Sequence, residues 1–206
     1  MAVTPHPYSG LLLKALNKEV DFDTDTIKAM LTTGYTFDGT DVYLNDIGAV
    51  EVTGTGYTSG GATLASKTIA VTAANSWGTS RANSTAYTLG QFVRPATGNG
   101  FVYQAVAAGT SGGSVPTYPT TIGGTVSDGG VTWACVGSSL LVLDCADLSW
   151  SSSTISATGL VVYDSTGTSS TSVLLGYIDF GATVSSTAGT FSYTVDTQGL
   201  LIIPIA

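Results

Sequence analysis

Charge is what this sequence has least of. Only 10% of its 206 residues are Asp, Glu, Lys or Arg, against roughly a quarter in an ordinary globular domain. No Lys or Arg follows Arg94. Counterion release from a phosphate backbone needs clustered basic side chains, so a nucleic-acid partner is not expected. The formal net charge of −8 is read as a solubility device. Long apolar runs are missing as well. Gly10 to Leu13 and Leu200 to Ala206 fall far short of the roughly 20 residues that cross a bilayer, and no charged n-region followed by an apolar h-region opens the chain. Neither a membrane partner nor Sec-dependent export is expected.

Histidine occurs once, as His6, in what reads as a loose N-terminal arm. A transition-metal site and a Ser-His-Asp relay both need a positioned imidazole, so neither is expected. The two cysteines, Cys135 and Cys145, are read as reduced and buried in a protein assembled inside a cell. Asp21, Asp23 and Asp25 have the spacing that opens a calcium loop. The sixth position is Thr26 rather than Gly and the twelfth is Thr32 rather than Glu, so the sharp bend and the bidentate ligand are both missing. These carboxylates are read as solvated alternate positions leading into a strand. A glycosidase would need a carboxylate pair, but Asp128, Asp144, Asp147, Asp164, Asp179 and Asp196 read as Asx turns at strand ends. The expectation is no metal, no cofactor, no catalytic residue and no enzymatic activity.

What the chain has in abundance is Gly, Ser, Thr and short alternating apolar text, with hydrophobic residues at 43%, enough for real cores. Strands are predicted at 26–32, 49–53 and 62–72, and again at 140–150, 154–164, 172–180, 190–195 and 200–205. Residues 8–20 hold the only text with helical character, read as a single turn or an extended arm. No internal repeat of fixed period and no heptad run occurs. About eight strands suffice for two packed antiparallel sheets, but neither flank could complete a core alone. The predicted fold is therefore all-β: an antiparallel β-sandwich host made of residues 1–75 plus 138–206, with a small β module inserted at 76–137.

That module concentrates the aromatics Trp77, Tyr87, Phe92, Phe101, Tyr103, Tyr118 and Trp133. Sugars stack their C–H faces on such rings, whereas a domain of about sixty residues also needs large rings as core. Tyr87, Phe92, Tyr103 and Trp133 are in strand-like phase and are assigned to the core. Tyr118, between Pro116 and Pro119, is expected to stand exposed.

The run Ala86-Tyr87-Thr88-Leu89-Gly90-Gln91-Phe92-Val93, followed by Phe101-Val102-Tyr103-Gln104-Ala105 and Trp133, resembles the small chitin-binding, carbohydrate-binding module of bacterial chitinases. Gln91 stands where that pattern has Asp, and the 109–130 loop is longer. With Ala108-Gly109-Thr110-Ser111-Gly112 and 125–133, the segment is similar to an insertion found in virion proteins of tailed bacteriophages. The runs 21–31, 54–61 and 174–181 resemble phage structural proteins encoded near the head genes. The resemblance implies a virion structural protein, a capsid decoration or minor head protein on the capsid surface, made in the host cytoplasm. Its partners would be the major capsid protein or neighbouring virion proteins and further copies of itself, with a trimer favoured by analogy to local threefold positions. A tail or fibre receptor-binding role is the alternative. For the module two readings stand: weak binding of a host-surface glycan through Tyr118 first and Phe101 second, or a stable spacer and subunit contact.

Overall fold

The computed structural model describes residues 4–205. In chain order these form β1 (Thr4–Pro7), a helix α1 (Leu11–Leu16), β2 (Ile27–Thr32), β3 (Ala62–Thr63), β4 (Thr68–Ala73), β5 (Ala86–Tyr87), β6 (Phe92–Val93), β7 (Val102–Ala107), β8 (Gly109–Thr110), β9 (Thr125–Asp128), β10 (Val131–Gly137), β11 (Ser139–Asp144), β12 (Leu148–Asp164), β13 (Leu174–Tyr193) and β14 (Leu201–Ile205). The fold is all-β and antiparallel, as the alternating text predicts. No helix among the described residues is long and apolar enough to cross a membrane.

The chain divides into two compact units. One runs through Ile69 and resumes over Leu143–Leu201; the other comprises Ala70–Val142 and the described residues from Ile202 onward. The whole of 76–137 lies in the second unit, together with 70–75 and 138–142. These extra residues belong there because β4, β11 and β14 form a three-stranded sheet in the order β14-β11-β4.

The first unit is built on a five-stranded sheet in the order β1-β13-β12-β2-β3. Its centre is the run Leu160-Val161-Val162-Tyr163, which β13 flanks on one side and β2 on the other. Strands covered on both faces read as unbroken apolar text rather than alternation. Accordingly Leu160, Val161 and Val162 are fully buried, as are Leu31 and Ala29 opposite Leu160 and Val162, and Ile27 two residues further along β2. Tyr8, Met30, Ile47, Val161, Tyr163, Leu174 and Tyr177 form one cluster of this core.

Several expected breaks are bulges instead. The predicted strands 140–150 and 154–164 are redistributed into β11 and a seventeen-residue β12, while 172–180 and 190–195 join into a twenty-residue β13. In β12, Ser152 adopts a left-handed φ of 51°, and the register shifts between Trp150 and Ser153. An inserted residue flips the side-chain phase, so Leu148 and Trp150 point inward before it and Ser153, Ile155 and Ala157 after it. The buried Ser153 hydroxyl bonds Ser186 Oγ at 2.7 Å and accepts from the Phe191 N–H at 3.2 Å. Gly54 lies so close to this strand that a Cβ would run into the Thr154 carbonyl. Residues 49–53, expected as a strand, meet the end of β2 through the bridge Thr32–Glu51 and the bonds from the Thr33 N–H to the Val50 carbonyl and from the Val52 N–H to the Leu31 carbonyl, and the expected 62–72 strand splits into β3 and β4.

The N-terminal text also differs from its reading. His6 is not in a loose arm: it pairs with Tyr177 in β1 and stacks on Phe37 at a ring separation of 4.9 Å. Partial burial lowers its pKa. Residues 11–16 form a true, if short, helix with Leu11 buried. Asp21, Asp23 and Asp25 lead into β2 as expected, with Asp21 and Asp23 exposed; in addition Asp21 Oδ1 accepts from the N–H of Asp23 and Thr24, and Asp25 Oδ2 accepts from the Asp21 N–H.

In the second unit, β6, β7, β10 and β9 form a four-stranded sheet in the order β6-β7-β10-β9, and β5 pairs with β8. Side chains alternate between its faces. Val93, Tyr103, Ala105, Val131, Trp133 and Cys135 join Tyr87 in one cluster; Phe92 and Val102 join Trp77, Ala74, Leu140 and Ile202 in another. Cys135 and Cys145 are both free and buried.

Candidate functional site

The best-defined polar constellation of the chain sits against the Trp133 cluster, where the long 109–130 loop returns to the sheet. Arg81 and Asp128 are 4% and 3% exposed, far below what charged side chains tolerate unless paired. They form a bidentate pair: Arg81 Nε donates to Asp128 Oδ2 at 2.9 Å and Nη2 to Oδ1 at 2.7 Å. The remaining Arg81 donors reach the carbonyls of Gly112 at 2.6 Å and Ser114 at 2.9 Å, and Asn83 Oδ1. Asp128 in turn accepts from Trp133 Nε1 at 2.9 Å and from the Gly112 N–H at 2.9 Å. Burial alone would raise the Asp128 pKa, but the Arg81 and Trp133 hydrogen bonds hold it below the usual carboxylate range.

Local sequence explains this placement. Asp128 ends β9 just before the Gly129-Gly130 turn, and Gly129 has a φ of 64° with Thr110 and Ser111 backbone packed where a Cβ would go. Only glycine lets the 110–112 segment approach that closely, and this approach delivers the Gly112 N–H to the carboxylate. Asp128 is therefore the anchor of the loop, not an Asx turn. Asp179 and Asp196 do make Asx turns, to the N–H of Gly181 and Gln198. Asp147 instead accepts from the Val195 N–H.

Tyr118 corrects an expectation. Its ring is half-buried and packs on Tyr103 at a centroid separation of 4.3 Å, tilted by 44°, and its hydroxyl is buried with no hydrogen-bond partner. The two prolines do hold the loop, with Tyr103 Oη donating to the Pro119 carbonyl at 2.7 Å, but they turn the ring inward. Burying a large ring against another outweighs presenting it to water. Burial, followed by the nearby Asp128 charge, pushes the Tyr118 pKa up. Phe101 also packs partly buried on the Trp133 cluster, so both expected glycan contacts lie against the same core. Tyr87, Tyr103 and Trp133, the residues of the chitin-binding-like pattern, are core.

The large apolar side chains that this unit does expose are aliphatic: Val71 at 64%, Leu89 at 52%, Val106 at 46%, Val115 at 56%, Ile122 at 49% and Ile205 at 37%. Sequence reasoning passed over Arg81, although one of only two arginines in so uncharged a chain is itself a signal for a bidentate carboxylate partner. No group of three or more His, Cys, Asp or Glu among the described residues could hold a metal ion. Compared with known proteins, the chain matches no family model, no curated protein and no solved structure.

Proposed function

We propose that the chain is a structural component of a tailed-bacteriophage virion, of the capsid-decoration or minor-head type, and that its second unit is a rigid protein-contact module. The virion part of this reading rests on the resemblance of 21–31, 54–61 and 174–181 to phage structural proteins, and the observation that carries the contact-module part is the Arg81–Asp128 lock. The strongest charges of the unit are spent inward, tying Gly112, Ser114 and Trp133 together, rather than aimed at a ligand. A loop fastened in this way loses little freedom on binding, which favours contact with a repeating surface. The exposed Leu89, Val106, Val115 and Ile122 suit protein neighbours better than sugars, whose C–H faces prefer aromatic rings. The partners are the major capsid protein or adjacent virion proteins, and other copies of the chain. Glycan recognition rests on Phe101 and the chitin-binding resemblance, because the Tyr118 ring is turned in.

Mass spectrometry of purified particles from the phage that encodes the chain tests this proposal. The expected result is the intact chain at a stoichiometry comparable to other structural proteins. Absence from washed, infectious particles overturns it.

A further inference from the structure

We infer that the outer edge of β13 is a self-association surface, and that its occupant is the same segment of a second copy, added antiparallel. Strand β1 covers β13 only from Gly176 to Asp179. Beyond that point β12 lines one side of β13, and among the described residues no strand pairs with the other. Between the left-handed Gly181 (φ 67°) and Ala188 (φ 47°) lies Ala182-Thr183-Val184-Ser185-Ser186-Thr187, an extended run of about 20 Å at 3.3 Å per residue. Alternate residues of such a run turn N–H and C=O outward, which is the chemistry that takes another strand.

The composition of the run says which strand. Natural edges are guarded by Lys, Pro or inward-pointing charges, and 181–190 contains none of these. A chain of net charge −8 meets a second copy at least cost where neither carries charge; Asp179 and Asp196, the carboxylates nearest in sequence on either side, lie outside the run. Two-fold antiparallel pairing centred on Ser185 sets the exposed Thr183 against Thr187 of the second copy and Ser185 against its own counterpart, and hydroxyl-bearing cross-strand pairs such as Thr–Thr are favourable. It also brings cover to Val184 and Ser186, which face the buried Ala157 and Ile155 across β12 yet are themselves only half-buried. An isologous edge of this kind closes at two copies, in contrast to the trimer implied by the phage resemblance.

Sedimentation equilibrium on the whole purified chain tests this inference independently of any virion role. The wild type is expected to show twice the chain mass at micromolar concentration. Thr183→Lys/Thr187→Lys is expected to fall to the chain mass and to melt where the wild type melts once diluted to monomer, since both side chains are exposed and association itself raises the wild type's melting temperature. Amide exchange on the wild type provides the second reading, with protection of 182–187 rising as the dimer fills. A monomer at all concentrations, a trimer, a dimer that survives both lysines, or amides of 182–187 that exchange alike in monomer and dimer would overturn the inference.

Discussion

Arg81 and Asp128, 47 residues apart in the chain, meet inside the second unit as a two-pronged ion pair, each prong under 3 Å and each partner almost wholly out of water. The pair closes the module's long loop onto Trp133, and the consequences follow from how costly half of such a pair is.

Removing one member strands the other. Arg81→Ala or Asp128→Ala is expected to destabilise the protein by about 3–5 kcal/mol, because a buried charge then loses its partner. The double change Arg81→Met/Asp128→Leu should cost clearly less than the two single costs added together, as buried pairs are often replaceable by apolar groups. Urea denaturation of the four proteins gives the comparison; additive losses would show that the charges are not coupled.

The buried Tyr118 hydroxyl, lacking a partner, is a cost without a return. Tyr118→Phe is expected to raise stability by on the order of 1 kcal/mol, while Tyr118→Ala should lower it by about 3 kcal/mol as the contact with Tyr103 is lost. Thermal melts distinguish the two. A Tyr118→Phe protein less stable than wild type would mean that the hydroxyl is bonded after all.

Asp164 ends β12 opposite Ile27, 4% exposed. Burial first, then the Asp25 charge, raises its pKa to about 6, with Lys67 opposing. A carboxyl whose folded pKa exceeds its unfolded value near 3.8 is favourable to folding while protonated. Its contribution therefore falls as pH rises from about 4 to about 6 and is flat above. Asp164→Asn, which stays neutral, should be more stable than wild type at pH 7.5 by about 1–2 kcal/mol and nearly equal to it at pH 4. A stability difference that does not change with pH would contradict this assignment.

Gly61 is the tightest approach in the first unit, with φ 75° and the Ala29 carbonyl and Met30 Cα where a side chain would begin. Gly61→Ala combines backbone strain with a backbone clash and is expected to cost about 2–4 kcal/mol. Gly34→Ala shares the positive φ but has open space around it, so it should cost only about 1 kcal/mol. Equal losses at the two sites would remove the packing part of the argument.

Much of the architecture was legible in the text. The strand predicted at 154–164 falls within β12, and Trp133, assigned to the core from its strand-like phase, lies on the buried face of β10 with Val131 and Cys135. The bulges were not legible. Ser152 and Ala188 hold left-handed conformations that glycine would advertise and they do not, so β12 and β13 read as shorter strands than they are. Gly129 explains why Asp128 reads as a turn residue, since its true partner enters from a residue 47 positions away. Tyr118 was misread because two flanking prolines say that a loop is stiff, not which way its ring points.

Immunogold labelling of intact particles tests the virion assignment most directly. With antibody to the purified chain, gold distributed over the heads at many copies per particle is the result expected of a capsid-decoration or minor head protein. Gold confined to tail tips or fibres, or particles left bare while the free protein is bound, would contradict it.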